Sequence, residues 1–300
     1  WSYAGKAKPV AMPYWSIPDT ALDDALAFLK TCGKGSLLTV EKDNTKLGKA
    51  KGTGYVNVGL SLAPHTVSGY NVCASATPGC SAACLNFAGR GRFSNVQKSR
   101  IRKTQFFFEN RGAFMYALVI SLANIQRKNP KRQIAFRPNI FSDVKWENIS
   151  VWVDDHLEEY LKRYYPRNTV GLSRATLEQH IGVPMKGLYG NIFEIFPRVK
   201  FYDYTKHKPT NRDMELVRND NYHLTYSVSG EYKKDRQSGD LPLHPSILNN
   251  RELVRECIAR KLNMAIVIDD EVDIPIVNKG YTIINGDEDD LRFLDPKPCL

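Results

Sequence analysis

Short apolar segments alternate with longer segments of helical pattern along most of the chain, and this order restricts the fold more than any other feature. Six segments rich in β-branched and aromatic residues predict strands, at residues 55–63, 133–137, 199–204, 222–228, 264–268 and 281–284. Helical patterns lie between most of them, at residues 93–127, 151–165, 212–218 and 246–261. This alternation predicts an α/β fold with a mostly parallel sheet and right-handed crossovers.

The repeat fits either an open doubly wound sheet or a partial or complete (β/α) barrel of about six parallel strands. Polar, acidic or cysteine-bearing loops follow all six predicted strands. We expect the barrel, because the loops after barrel strands share one site. Residues 1–50, with a helix near residues 21–30, fall outside the repeat and predict an N-terminal cap, so residues 51–300 form the predicted catalytic domain.

Composition restricts the class of protein further. The 300 residues are 42% hydrophobic and 25% charged, which is typical of a globular chain. The sequence contains no apolar run of the roughly 18 residues that a membrane span requires. It opens at Trp1 without a basic segment followed by an apolar one, so a secretory signal is not expected. We therefore expect a cytoplasmic protein without a membrane partner.

Basic side chains dominate one stretch of the chain. The net charge is +10, and no acidic residue occurs between Asp43 and Glu109. Concentrated positive charge favours a phosphate-bearing partner, here a nucleic acid or nucleotide, although a solvated helix face has the same composition. The residues predicted to contact nucleic acid are Arg90, Arg92, Arg100, Arg102 and Lys103.

Cys73, Cys80 and Cys84 lie within twelve residues, in a loop of small residues that follows the first predicted strand. A structural zinc ion would need a fourth ligand, from Cys32, Cys257, Cys299 or His65. A disulfide with one spare thiol is disfavoured in the cytoplasm, and three unligated thiols remain an alternative. The triplet favours an iron–sulfur cluster with one open iron, because no fourth partner is evident.

A three-cysteine loop directly after the first strand of a six-fold strand–helix series resembles the radical S-adenosylmethionine (SAM) enzymes. The resemblance implies a partial barrel and a 4Fe-4S cluster held by Cys73, Cys80 and Cys84. It also implies that the open iron binds SAM, whose reductive cleavage gives a carbon radical. The cofactor-binding residues that it implies are Asn139, Ser142 and Asp143 after the second strand, and Ser227 and Ser229 at the end of the fourth.

Five sequence blocks resemble an uncharacterised family encoded by bacteriophages and related mobile elements. The resemblance implies a phage origin and the host cell cytoplasm, and it gives no reaction. The blocks are residues 60–64, 84–89, 141–147, 201–206 and 286–296.

Three residues near predicted strand ends are candidate catalytic groups. Asp143 has the chemistry of an acid or base, with a helix N-cap as the alternative role, and Tyr204 and Lys206 end the third strand. Lys206 could bind a phosphate or carboxylate. The favoured interpretation is a radical SAM-like enzyme acting on a nucleic acid or nucleotide.

Two alternative functions stay open. In the first, the cysteines hold zinc in a nucleic-acid-binding or replication protein. In the second, a divalent cation serves a hydrolase through C-terminal carboxylates, although an acidic turn paired with Arg292 is favoured for them. These carboxylates are Asp287, Asp289, Asp290 and Asp295.

Overall fold

The computed structural model describes residues 18–50, 52–77, 80–81, 84–164, 186–212, 220–228, 245–266, 282, 284–286 and 288–295. Its strands are β1 (Leu38–Val40), β2 (Tyr55–Leu60), β3 (Gln133–Arg137), β4 (Val151–Val153), β5 (Gly187–Tyr189), β6 (Lys200–Thr205), β7 (Tyr222–Val228) and β8 (Met264–Ile266). Its α-helices are α1 (Ala21–Thr31), α2 (Thr45–Gly48), α3 (Ser94–Glu109), α4 (Arg111–Lys128), α5 (Asp155–Leu161), α6 (Ile192–Ile195) and α7 (Pro245–Arg260). No described helix combines the length and apolar character needed to span a bilayer.

Six strands form one sheet in the order β1-β2-β3-β6-β7-β8, and β4 and β5 form a separate antiparallel pair. β1 pairs antiparallel with β2, whereas the other neighbouring pairs of the large sheet are parallel. The register aligns Val58 with Phe136, Phe136 with Phe201, and Phe201 with Tyr222. The carboxyl ends of the central strands therefore lie along one edge. The prediction of an α/β fold with a mostly parallel sheet is confirmed.

The parallel strands follow one another in chain order across the sheet, so right-handed crossovers all fall on the same face. One buried apolar cluster joins Leu118 of α4, Leu157 of α5 and Cys257 of α7 to Val56 and Phe201 of the sheet. A doubly wound sheet instead reverses its strand order and carries helices on both faces. The sheet is therefore singly wound, as barrels are, but the described strands form an open sheet in which β1 and β8 are the edges.

The predicted helix over residues 93–127 is two helices, α3 and α4, separated at Asn110. Asn110 has φ −138° and ψ 68°, and its side-chain oxygen accepts a hydrogen bond from Ala113 N. Its own N–H donates to Phe106 O at 2.9 Å, which closes the end of α3. The prediction of one helix is wrong because a short amide side chain competes with the helical backbone and caps the following helix.

The predicted helix over residues 151–165 is also wrong at its start. Val151 and Val153 pair with β5 as part of β4, and β-branched residues suit such a strand. The helix α5 begins only after Asp154, whose side chain accepts a hydrogen bond from Leu157 N at 2.7 Å. Residues 213–218 of the predicted helix at residues 212–218, and residues 281 and 283 of the predicted strand at residues 281–284, lie outside the described residues.

Two elements come from the segment expected to be an N-terminal cap. The helix α1 packs against α4, and β1 adds an antiparallel strand to the edge of the sheet beside β2. Leu37 N–H donates to Ser121 Oγ at 3.1 Å, which ties this segment to α4. Residues 21–40 therefore share the core of the larger domain.

The face of the sheet opposite the helices is polar, because alternate strand residues point there. Arg137 Nη1 lies 2.9 Å and 3.0 Å from the two carboxylate oxygens of Asp290. The Tyr202 hydroxyl lies 3.0 Å from Asp290 Oδ2 and 2.9 Å from Asn57 Oδ1. Leu291 packs on the same face against Tyr202. This buried network holds the C-terminal residues 288–295 on the sheet.

Asp290→Ala should lower the free energy of unfolding by about 3–5 kcal/mol, because it leaves Arg137 charged and unpaired in a buried position. Chemical denaturation of the full chain measures the change. Replacing both partners, as Arg137→Met with Asp290→Leu, should recover most of the loss. The exposed Lys162–Glu159 pair is the control, where Glu159→Ala should cost less than about 1 kcal/mol. Equal losses for Asp290→Ala and Glu159→Ala would contradict the role of the buried pair.

Candidate metal centre

The cysteine loop leaves β2 at the carboxyl edge of the sheet. Cys73, Cys80 and Cys84 are each partly buried, and none forms a disulfide with another described cysteine. His65 N–H donates to Cys73 Sγ at 3.3 Å, and the Cys73 thiol donates to Phe141 O at 3.4 Å. Burial raises the pKa of Cys73 to about 11, the His65 N–H lowers it, and the charges of Asp143, Cys84 and Cys80 raise it. The three thiols therefore lie within electrostatic range of one another.

Two cations face the other two thiols. Burial raises the pKa of Cys80, the charge of Lys206 lowers it, and the charges of Cys84 and Asp143 raise it. Burial lowers the pKa of Arg100, and the neighbouring Cys84 opposes that shift. Lys206 thus favours the thiolate form of Cys80, which is the form that binds metals, against the effect of burial.

The donor chemistry of this loop suits a cysteine-ligated metal centre, since three soft sulfur donors come from one segment. As they stand, no three described His, Cys, Asp or Glu side chains are arranged to hold a metal ion. The remaining described cysteines belong to the apolar core: Cys32 is 6% exposed and Cys257 is fully buried. Cys299 lies outside the described residues.

Asp143 joins the loop after β3 to the end of β6. Its Oδ1 accepts from Thr205 Oγ1 at 2.8 Å, and its Oδ2 accepts from the Lys206 N–H at 2.8 Å. Its own N–H donates to Val72 O at 2.8 Å, just before the first cysteine. Both carboxylate oxygens of this predicted catalytic residue therefore have protein partners. It does not cap a described α-helix.

His207, which was not predicted to be a site residue, holds the cysteine loop through hydrogen bonds. His207 Nε2 lies 3.0 Å from the carbonyl oxygen of Asp143, which can only accept, so Nε2 carries the hydrogen. His207 Nδ1 must then accept the hydrogen bond from Ser75 Oγ at 2.8 Å. Burial lowers the pKa of His207, although the Asp143 charge raises it, which favours the neutral ring. No local pattern around His207 indicates this contact in the sequence.

Asn139 and Ser142, both predicted to bind cofactor, are held inside their own loop. The Asn139 side-chain oxygen accepts from Ser142 Oγ at 2.8 Å and from Trp146 Nε1 at 3.0 Å. Asp203 accepts from Asn139 N at 2.9 Å and from Asn139 Nδ2 at 2.8 Å. These side chains shape the loop from within.

Lys206, Ser227 and Tyr204 lie on or next to the polar face. Lys206 Nζ donates to Ser227 Oγ at 3.1 Å, which brings together a predicted catalytic residue and a predicted cofactor-binding one. The Arg137 guanidinium lies 4.7 Å from the centre of the Tyr204 ring. Burial raises the pKa of Tyr204 to about 12, Asp290 raises it and Arg137 lowers it. Ser229 lies outside the described residues.

Most of the residues predicted to contact nucleic acid make internal contacts. Arg100 lies 4.1 Å from the centre of the Phe141 ring, and Arg102 Nη2 donates to Thr31 O at 2.8 Å. Lys103 is 8% exposed, and its Nζ donates to Leu37 O at 2.7 Å. Arg92 stays exposed while its Nε donates to Phe87 O at 2.7 Å. The side chain of Arg90 lies outside the described residues.

The C-terminal carboxylates are paired with arginines. Arg292 Nη2 lies 2.9 Å from Asp289 Oδ1, and Arg292 Nη1 lies 3.2 Å from Asp295 Oδ2. Asp290 pairs with Arg137, and Asp287 lies outside the described residues. This arrangement agrees with the acidic turn favoured in the sequence.

His207→Ala should raise the rate at which Cys73 reacts with a thiol reagent in metal-free protein by about fivefold, because losing about 1 kcal/mol of hydrogen bonding loosens the loop. Reaction with dithionitrobenzoate, followed by mass spectrometry to assign the cysteine, measures the rate. The exposed His156→Ala is the control and should leave the rate unchanged. Equal rates in both variants would show that His207 does not hold the loop.

Comparison with known proteins identifies a family and no activity. A family model described as gene product 88 matches residues 37–300. This span contains all the described strands, the three cysteines and the five sequence blocks that resemble a bacteriophage-encoded family. No curated protein and no solved structure matches the chain. The chain belongs to the gene product 88 family, an uncharacterised family of phage type.

Proposed function

We propose that this protein is an iron–sulfur enzyme of the radical SAM type that acts on a nucleic acid or nucleotide. One observation carries the proposal: three partly buried thiols share the loop after the first parallel strand, at the carboxyl edge of a singly wound sheet. Ligands of parallel sheets bind outside the carboxyl ends of the strands. The thiols therefore occupy the place where such a fold carries its chemistry.

The sheet topology supports a partial barrel. Strands β2, β3, β6, β7 and β8 run parallel in chain order, with the apolar cluster of the helices on one face. The opposite face carries buried polar side chains, including Arg137 and Tyr202. Closing or curving a singly wound sheet places that polar face inside, where a substrate would be enclosed.

The donor set fits a cluster better than a single ion. Zinc requires four ligands around one ion, whereas each cysteine of an iron–sulfur cluster binds its own iron, so the thiols need not meet at one point. Neither Cys32 nor Cys257 provides a fourth thiol, because both lie in the apolar core. Bound to Cys73, Cys80 and Cys84, the cluster would supply one-electron reductive cleavage of the SAM sulfonium.

Lys206 and Ser227 are the described side chains best placed to bind a cofactor or substrate. Lys206 brings a positive charge close to Cys80 and is held by Ser227. An ammonium there can bind a carboxylate or a phosphate, and a serine hydroxyl can hydrogen-bond a ribose. Asp143 positions Lys206 through its backbone N–H. We therefore assign Asn139, Ser142 and Asp143 to shaping the site, and keep Tyr204 and Ser229 as candidate contacts.

The two alternatives have less support in the described residues. The zinc-stabilised binding protein needs a fourth ligand, and the His65 ring is bonded to Thr66 Oγ1 at 3.1 Å. The divalent-metal hydrolase needs free carboxylates, and Asp289 and Asp290 are each paired with an arginine. A thiol-ligated cluster persists in a reducing compartment, so we place the protein in the host cell cytoplasm.

Protein purified without oxygen should be brown, bleach in air and contain about four iron atoms per chain. Cys80→Ala should lose most of the iron, whereas the control Cys32→Ala should keep it because Cys32 lies in the core. Iron and acid-labile sulfide analyses measure this. A colourless protein with one zinc per chain would contradict the proposal and favour the zinc alternative. Magnesium-dependent cleavage of nucleic acid that survives Cys80→Ala would favour the hydrolase.

Lys206→Gln should keep the iron and weaken SAM binding by about tenfold or more, because a hydrogen bond to a charged group contributes about 1.5–3 kcal/mol. Calorimetric titration of the reconstituted protein with SAM measures the affinity. The exposed Lys30→Gln is the control. SAM binding equal to that of the unchanged protein would remove Lys206 from the cofactor site.

A further inference from the structure

Residues 85–93, which we call the aromatic knob, follow directly after Cys84 and display three large apolar side chains. The knob consists of two 3-10 helices, Leu85–Phe87 and Gly89–Arg92, followed by Phe93. Leu85 is 54% exposed, Phe87 46% and Phe93 59%. Exposed apolar side chains that occur together mark interaction surfaces more often than those that occur singly.

The backbone of the knob is firmly held, so this exposure does not come from a loose loop. Asn86 is fully buried, and its Nδ2 donates to Gln97 Oε1 at 3.0 Å. Asn86 O accepts from Gln97 Nε2 at 2.9 Å and from Arg100 Nη1 at 3.3 Å. A Cβ atom at Gly91 would lie 2.4 Å from Asn86 O, so only glycine at position 91 allows the two turns to pack this closely. Buried polar groups thus fix the turns that expose the apolar ones.

The charge along the segment that carries the knob has one sign. Arg92 is exposed and its Nε donates to Phe87 O at 2.7 Å, which places the guanidinium against the turn that carries Phe87. Lys98 is exposed on α3, shortly after the knob. No acidic residue occurs in the sequence between Asp43 and Glu109. The exposed cations Arg92 and Lys98 therefore favour a partner that carries negative charge.

Two exposed aromatic rings beside cations match the chemistry of single-stranded nucleic acid. Rings stack on unpaired bases of any sequence, and cations neutralise the phosphates. A duplex hides its base faces inside the stack, so Phe87 and Phe93 would gain little from it. A second copy of this chain carries the same net charge of +10, which opposes self-association through this surface.

We propose that the aromatic knob binds single-stranded nucleic acid next to the cysteine loop. The inference rests on the proposed function for the identity of the neighbouring centre, and it narrows the substrate class from nucleic acid or nucleotide to a single strand. The chain passes from Cys84 directly into Leu85, so a strand stacked on the knob lies close to the candidate centre.

Fluorescence anisotropy with labelled oligonucleotides tests the proposal on the full chain. A single-stranded 20-mer of DNA, its RNA counterpart and a hairpin duplex are the probes, each titrated across a salt series. We expect the single strands to bind at least tenfold tighter than the duplex. Phe87→Ala with Phe93→Ala should weaken single-strand binding by tenfold or more, because each ring stacks on a base. Leu188→Ala, at a position of β5 that is 51% exposed, is the control and should change nothing.

Arg92→Gln with Lys98→Gln should lower the slope of log affinity against log salt by about 0.7 for each phosphate that the variant no longer neutralises. Equal binding of single strands and duplex, or double phenylalanine variants that bind like the unchanged protein, would overturn the proposal. The proposal would also be overturned if the phenylalanine substitutions changed the oligomeric state and left single-strand binding unaltered, because the surface would then join two copies of the chain.

The same titrations on Cys80→Ala separate this proposal from the proposed function. Single-strand binding should survive Cys80→Ala, and the iron content should survive the phenylalanine substitutions. If the protein contains iron but does not bind single strands, only the proposal for the knob is overturned. If it binds single strands through the knob but contains no iron or sulfide, only the proposal of an iron–sulfur centre is overturned.

Discussion

Two hydrogen bonds from Asn139 to Asp203 hold together the edge of the sheet on which the candidate site depends. Asp203 is fully buried, and burial raises its pKa well above the ordinary value, with Arg137 and the Asn139 N–H lowering it. A buried carboxyl needs all its hydrogen bonds satisfied, so the loop after β3 is drawn onto the end of β6. Asn139 in turn accepts from Trp146 Nε1, which fixes the rest of that loop.

The position of the cysteines follows from that loop. Asp143 donates its N–H to Val72 O, and its carbonyl accepts from His207, which holds Ser75. The cysteine-bearing segment is therefore attached on both sides of Cys73 to the loops that follow β3 and β6, which are neighbouring strands. Cys73 is thus held at the carboxyl edge of the sheet, although it belongs to a loop.

Apolar patterns in the sequence predicted the strands whose formation depends on burial. They did not predict the elements whose formation depends on a cap or on a strand far away in the sequence. The predicted strands at residues 133–137 and 222–228 agree with β3 and β7, because most of the residues in both are buried. The break at Asn110 depends on a local cap, and β4 depends on pairing with β5, more than thirty residues away. The cysteine loop could be predicted from its place after β2. The internal roles of Asn139 and Asp143 could not, since their partners come from β6 and its end.

The sequence alone does not show which basic side chains are buried and which face solvent; the packing does. Lys103 and Arg102 point toward α1 and the segment after it, where carbonyl oxygens at helix and loop ends accept their hydrogens. Arg100 is taken up by Asn86 and the Phe141 ring. Lys103 and Arg100 therefore brace the fold from within, whereas Arg92, Lys98 and Arg102 have exposed side chains whose positive charge can reach a partner. Some cations of this basic stretch therefore stabilise the fold, and others remain exposed on its surface. The exposed aromatic side chains of the knob mark the part of that surface that we propose binds a partner.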